Sequence, residues 1–473
     1  MLLFIGTFVH APIYAKEAHW QLHHSPSFDL VSDLPQHQAE DLIQQVKLFD
    51  SLARNYINVD ATSTSPPLTL LVFARRKQFV ELVDKRHFAA FTAPGLATTL
   101  LVIGPSTNTA SLLTNTLHEY THFLLRTQPL SYPIWYEEGL ATVLSHSDFD
   151  KARASARVGR LTRPAPQGRH LAGTLTLEKI FQTRDMTQWS GRRMSQFYRQ
   201  SAELVHFFMF GHRRNQPDYR QRLQTYFENR HTDIFDSLQT TNKTLTRQWQ
   251  RYLKAGKLPY DTLNVAADDT TLRSVDLPAM KVLIWHARAA EILNPAKAVA
   301  IYDSLLMHQP DNIQLRVDLT RVLLEVDMQR AAKVLTPALT QAPDHAAVLV
   351  QQAALMTRQC TMWTDLRCAD EWQRASLLLR RALKIDPNRQ DAILHLGITE
   401  LYTGNPGRAV NYLRIAHQRV PWSPKVNFHL GECLRLLGSR QASMHLQQAR
   451  DWAYSDTLRV LAKAALAQID NSG

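Results

Sequence analysis

Leu117-His118-Glu119-Tyr120-Thr121-His122 and, shortly after it, Trp135-Tyr136-Glu137-Glu138-Gly139-Leu140-Ala141 are the stretches that decide how this chain is read. Residues four apart share one face of an α-helix, so His118 and His122 address a single locus. Two neutral imidazoles placed in this way suit Zn²⁺, with Glu119 beside the metal where a bound water would sit. Leu113, Leu117, Tyr120 and Leu124 recur at helical spacing on the opposite side and are expected to face a core. Pro133 stops whatever precedes it. Ile134 to Ser145 then reads as a second helix, with Trp135, Glu138 and Thr142 on one face.

The two segments together resemble the gluzincin metallopeptidases, in which H-E-x-x-H is followed by a helix carrying a W-x-x-E-G-x-A-like signature. The resemblance implies a zinc site held by His118, His122 and the Glu directly before Gly, which is Glu138 rather than Glu137. Glu119 is then the general base. An α+β peptidase domain is implied as well, with an edge strand beside the zinc helix that pairs with extended substrate. Thr98 to Ile103 is the candidate for that edge and is equally well read as an ordinary sheet strand. Met194 to Phe210 reads as a strong helix, and similar families carry a Tyr-x-x-Ser/Ala-x-x-x-Val pattern on a helix behind the zinc. Tyr198 or His206 is therefore a candidate oxyanion donor, with packing against the core as the alternative for each. Thermolysin-type enzymes often place an acid one turn after the Glu ligand to orient a histidine, whereas here Thr142 stands in that place.

At 473 residues the chain exceeds one ordinary core, so two or three domains are expected. Apolar residues make up 45 % and charged residues 20 %, a globular composition that excludes wholesale disorder. The formal charge of +12 favours acidic surroundings. No compact run of Lys and Arg interleaves with aromatics, so nucleic acid is not an expected partner. Residues 1–15 carry no Asp, Glu, Lys or Arg and read as a signal peptide ending at Ala15, although the basic start of such a segment is missing. They are too short to span a membrane, and no later stretch approaches a transmembrane helix. Export to a periplasm or the exterior is expected, with the cytoplasm as the alternative. Lys151, Arg153, Arg157, Arg160, Arg163 and Arg169 lie in a loop-rich stretch that reads as solvated surface or as a lining that favours acidic substrates.

Toward the C-terminus the pattern changes. Pro310, Pro343, Pro387 and Pro421 stand 33, 44 and 34 residues apart, and twelve residues before each is an alanine: Ala298, Ala331, Ala375 and Ala409. Small residues at fixed offsets let paired helices approach closely, and the proline ends the second helix of each pair. This pattern is similar to the tetratricopeptide repeat (TPR), best matched by Leu396-Gly397, Gly404, Ala409, Ala416 and Pro421, and implies a stack of four to five helix pairs. The longer spacing places an insertion next to Cys360 and Cys368, which are expected to form a disulfide in an exported protein. The expected layout is a peptidase-like domain at 19–253, a linker at 254–276 and an all-α TPR solenoid at 277–470. Two functions compete: a zinc peptidase acting on peptide or protein, with the solenoid recruiting substrate or partner, and an inactive peptidase-like TPR scaffold. Hydrolysis of another amide or ester stays open. Glu119 favours the enzyme, since a structural zinc needs no general base.

Overall fold

Buried runs such as Leu68 to Val72 and the apolar stripe of Gln36 to Ile57 set the N-terminal half as strands and helices. In the computed structural model, the described residues are 19–57, 67–83, 89–128, 130, 132–150, 155–161, 174–184, 186, 189–228, 233–254, 257–265, 272–358, 360, 368–453 and 455–470. The apolar segment 1–15 and most of the basic stretch, including Lys151, Arg153, Arg163 and Arg169, lie outside them. In chain order the N-terminal region comprises β1 (Gln21–His24), β2 (Asp29–Ser32), α1 (Gln36–Ile57), β3 (Leu68–Val72), α2 (Arg76–Val83), β4 (Ala90–Ala93), β5 (Thr99–Ile103), α3 (Thr109–Arg126) and α4 (Ile134–Ser145). There follow β6 (Asp148–Asp150), β7 (Ser155–Val158), α5 (Leu177–Gln182), α6 (Gly191–Phe210), α7 (Arg220–Glu228), α8 (Ile234–Ser237), α9 (Asn242–Lys254), β8 (Asp261–Asn264) and β9 (Arg273–Asp276).

The main sheet has the order β4-β5-β3-β2-β1-β9, with β2, β3 and β5 parallel and β4 antiparallel at one edge. Every residue of β3 and β5 is buried, so the sheet is covered on both faces. Side chains alternate between those faces. Leu70, Val72, Leu101 and Ile103 share a core with Val46 and Phe49 of α1 and Leu117 and Leu124 of α3. Leu71, Leu100 and Val102 turn the other way, into a core with Phe79 of α2.

That second core is completed by the C-terminal half of the chain. It consists of α10 (Ala279–Leu293), α11 (Pro295–His308), α12 (Ile313–Val326), α13 (Met328–Gln341), α14 (Ala346–Arg358), α15 (Ala369–Ile385), α16 (Gln390–Tyr402), α17 (Pro406–Arg419), α18 (Pro424–Leu436), α19 (Ala442–Trp452) and α20 (Asp456–Asp470). Val282 and Ala289 of α10 and Tyr302 of α11 pack with the outer face of the sheet. Trp20, Phe73 and His286 form an aromatic cluster with centroids 5.0 to 5.3 Å apart, which pins α10 to the strands. Farther along, Trp422 meets Phe123 of α3 edge-on at 5.3 Å.

Two expectations are corrected here. Residues 254–276 are not a free linker, because β8 pairs with β7 and β9 with β1, tying the two halves together. Asp261-Thr-Leu-Asn and Arg273-Ser-Val-Asp are short and polar, so no hydrophobic run announces them as strands. The sheet edge beside α3 is β4, not Thr98 to Ile103, since β5 is flanked by both β4 and β3.

The repeat register holds residue by residue. Pro310, Pro343, Pro387 and Pro421 each stand two positions beyond the end of α11, α13, α15 and α17. Ala298, Ala331, Ala375 and Ala409 are all fully buried, as are Ala338, Ala382 and Ala416. A Cβ added at Gly397 would lie 2.9 Å from Leu413, and one at Gly431 2.7 Å from Leu446, so paired helices touch through missing side chains. The result is a solenoid of TPR-like helix pairs. Ala409→Leu is expected to overpack the α16–α17 contact at a cost of about 1–3 kcal/mol, read as a lower denaturant midpoint with an unchanged m-value. Unchanged stability would contradict this packing. Cys360 and Cys368 are bridged as expected, and both pack against the larger core.

Candidate metal centre

Asn108 caps α3 by accepting a hydrogen bond from the Ser111 amide at 2.8 Å. The back of the helix is anchored by Leu117, Leu124 and Tyr120, whose hydroxyl donates to Asp50 Oδ1 at 2.8 Å. Asp50 is in turn gripped by Arg54 at 2.9 Å. With that side fixed, His118 and His122 project from the other. On α4, Gly139 lets the helix press against α6: an added Cβ would lie 2.5 Å from the Ser201 carbonyl oxygen and 2.6 Å from Val205. Glu138, the neighbouring residue, is thereby turned toward the two histidines.

Three groups converge. His118 Nε2 is 3.2 Å and His122 Nε2 is 3.5 Å from Glu138 Oε2, and the two Nε2 atoms are 3.2 Å apart. Among the described residues this is the one cluster of His, Cys, Asp or Glu whose ligand atoms all lie within 4.8 Å of one another. A tetrahedral ion with bonds of about 2.0–2.2 Å requires ligand–ligand edges of about 3.3–3.6 Å. All three edges fall at or just short of that range, and two imidazoles plus one carboxylate leave a fourth position open. The donor set and its spacing therefore fit a catalytic-type Zn²⁺.

The electrostatics agree. Burial pushes the Glu138 carboxyl up, but the His122 charge and hydrogen bonds from both histidines outweigh it and hold the group below the usual carboxylate range. Burial likewise depresses His122, and the Glu138 carboxylate reverses this, so its imidazole ends above its ordinary value. His122 thus holds a proton more readily than an ordinary imidazole, beside an ionised Glu138 carboxylate.

Glu119 lies on the same helix, where Thr92 Oγ1 of the edge strand β4 donates to its Oε2 at 3.4 Å. Tyr198 on α6 is half-buried and near enough to the cluster for the charges of Glu138 and Glu119 to act on it. Burial first, then the charges of Glu138 and Glu119, raise its phenol and keep it protonated. His206 does not join it. Its ring is fully buried, with Nε2 at 2.7 Å from the Gly159 carbonyl and Nδ1 at 2.8 Å from the Tyr252 hydroxyl. A neutral ring satisfies both bonds, donating to Gly159 and accepting from Tyr252, and burial pushes its pKa down to about 4. His206 is thus a core residue, and the donor role expected of it is withdrawn.

Thr142 does not orient a histidine, since its hydroxyl donates to the Glu138 carbonyl at 2.7 Å. Sequence reasoning overlooked Glu137 instead. This buried carboxylate has Oε2 4.0 Å from His122 Nδ1 and 3.9 Å from Arg126. Glu137 and Glu138 are adjacent in sequence, and a helix turns them by about 100°. One faces the front of His122 and the other its rear. Thr92 was missed as well, because the strand Ala90–Ala93 is only 4 residues long.

No protein-family profile matches the chain. No curated protein matches it either. Among solved structures it is similar to a thermophilic TPR protein of Thermus thermophilus, at 17 % identity over 40 % of this chain and 99 % of that one, with a TM-score of 0.34. It is similar also to pilF of Pseudomonas aeruginosa, at 17 % identity over 41 % of this chain and 84 % of that one, with a TM-score of 0.30. A third is YrrB, a TPR protein with an unusual peptide-binding site, at 17 % identity over 38 % and 90 %, with a TM-score of 0.25.

Proposed function

We propose that this chain is a zinc-dependent metallopeptidase of gluzincin type. The observation that carries the reading is the convergence of His118, His122 and Glu138 beside Glu119. Bound at that locus, Zn²⁺ would supply an acidified water and a Lewis acid for the scissile carbonyl. The chain's own groups do the rest. A Glu119 carboxylate oxygen takes the proton of the attacking water and passes it to the leaving amine. The Tyr198 phenol donates a hydrogen bond to the oxygen on which negative charge develops. Strand β4, which ends the sheet order and carries Thr92 next to Glu119, is the edge along which an extended substrate backbone would lie. The Cys360–Cys368 bridge supports an oxidising compartment, hence an exported protein.

The direct test is metal content after mild purification, followed by hydrolysis of an unstructured polypeptide with and without a chelator. One zinc per chain, and activity lost on chelation and restored by Zn²⁺, is the expected result. A protein that binds no zinc would instead be the partner-binding scaffold, the reading that the long helix-pair solenoid favours.

Zinc affinity should tighten with pH. Metal binding requires neutral imidazoles, and a raised His122 keeps a proton in competition above the ordinary value of 6.5. Glu138, held low, is already ionised and adds no slope. Between about pH 6 and 8 the dissociation constant is expected to fall by up to about tenfold per pH unit, measured against a chromophoric chelator. A flat profile would remove His122 from the ligand set.

A further inference from the structure

The cleft at Glu138 is not closed by the N-terminal domain alone. A cavity of about 450 Å³ is lined by Arg126 at the end of α3, by Glu137 and Glu138 of α4, by Arg184, and by Arg450, Asp451 and Trp452 at the end of α19. The end of α19 in the solenoid therefore forms part of the wall of a chamber that Glu138 also lines. Trp422 against Phe123, at the back of the same zinc helix, holds the solenoid in that position.

The charges of this chamber are unevenly committed. Three guanidinium groups face three carboxylates. Glu138 is directed at the two histidines, so its charge is taken up once a divalent cation is bound. Glu137 is buried between Arg126 and His122. Asp451 accepts from Arg450 Nε at 2.7 Å, and the two Nη groups of Arg450 make no hydrogen bond among the described residues. Arg184 is exposed and donates through Nη1 to the Phe181 and Thr183 carbonyls at 2.7 and 3.3 Å. It meets no carboxylate among the described residues. With Glu138 engaged by the two histidines and Glu137 by Arg126 and His122, the uncommitted donors of the chamber are the guanidinium forks of Arg184 and Arg450, which match a carboxylate in two-point geometry. The volume lies within the usual range of small-ligand pockets.

We propose that this chamber is a subsite for an acidic side chain of an extended polypeptide, held by Arg184 from the N-terminal domain and Arg450 from the solenoid. The proposal rests on the peptidase reading for the identity of the ligand as substrate. It makes the solenoid part of the specificity machinery rather than a remote recruiting arm.

The test measures binding rather than turnover. Zinc-loaded Glu119→Gln protein is titrated with fluorescein-labelled decapeptides in which one Glu is walked along an otherwise neutral Gln/Ala sequence, and anisotropy is recorded. At one or two positions Glu should bind about tenfold more tightly than Gln. Arg184→Gln and Arg450→Gln should each remove most of that preference while zinc stoichiometry and thermal midpoint stay unchanged. Equal binding of Glu and Gln peptides at every position overturns the proposal, as does a preference that survives in the double variant. Should Arg450→Gln fail to fold, Arg184→Gln on its exposed side chain still decides. If the wild-type protein cleaves nothing yet the preference and its loss are both found, the peptidase reading fails and the subsite stands. Cleavage without any acidic preference sinks the subsite alone.

Discussion

Glu119→Gln is expected to lower hydrolysis of an unstructured polypeptide by about 10²–10⁴-fold while leaving zinc bound. The substitution keeps the shape of the side chain and an oxygen for the Thr92 hydroxyl, which lies 3.4 Å from the native carboxylate. What it removes is the only property the proposed mechanism uses, a basic oxygen that takes a proton and returns it. Glu119 is not one of the three groups that converge, so the metal content should stay near one per chain. Glu138→Ala is the complement. It deletes one corner of the ligand triangle and leaves two imidazoles 3.2 Å apart with no carboxylate to hold a cation, so zinc and activity should vanish together. A fully active Glu119→Gln protein that still contains zinc would refute the mechanism.

How far the sequence can be read depends on the distance over which each feature is encoded. The His118–His122 pair is written in a four-residue spacing, and the repeat in alanines and prolines at fixed offsets, so both are legible in the order of the residues alone. Cys360 and Cys368 flank a local insertion and belong to the same class. The features that escape such a reading rest on contacts between distant segments. Nothing in Arg273 to Asp276 shows that it pairs with Gln21 to His24, about 250 residues earlier, because all four of its residues are exposed and carry no apolar signature. His206 sits on the same helix as Tyr198, but Gly159 and Tyr252 decide its role, and these lie 47 and 46 residues away in opposite directions. The second face of the sheet offers the largest surprise. A parallel strand such as Leu68 to Val72 is apolar throughout and must be covered on both sides. The sequence shows that need without saying that α10 and α11 of the solenoid meet it.

Gly139→Ala is expected to destabilise the protein by about 1–3 kcal/mol and to weaken zinc binding with it, although alanine is the better helix former by about 1 kcal/mol. The two effects oppose each other, and the contact distance decides between them. Position 139 lies inside α4 with ordinary helical backbone, so nothing in its own conformation demands glycine. The demand comes from α6. An added methyl carbon would stand 2.5 Å from the Ser201 carbonyl oxygen and 2.8 Å from its carbonyl carbon, and a backbone group cannot rotate away. Relief requires α4 to move outward as a body, carrying Glu138 with it. The carboxylate at 3.2 and 3.5 Å from the two histidines has little room before the ligand triangle opens, so stability and metal affinity should fall together. A substitution on the same helix that meets no such wall, Thr142→Ser, retains a hydroxyl for the Glu138 carbonyl and should leave both nearly unchanged. Denaturant midpoints and zinc titrations on the pair separate the causes. If Gly139→Ala proves as stable as the parent and binds zinc equally well, the close approach of α4 to α6 does not position Glu138.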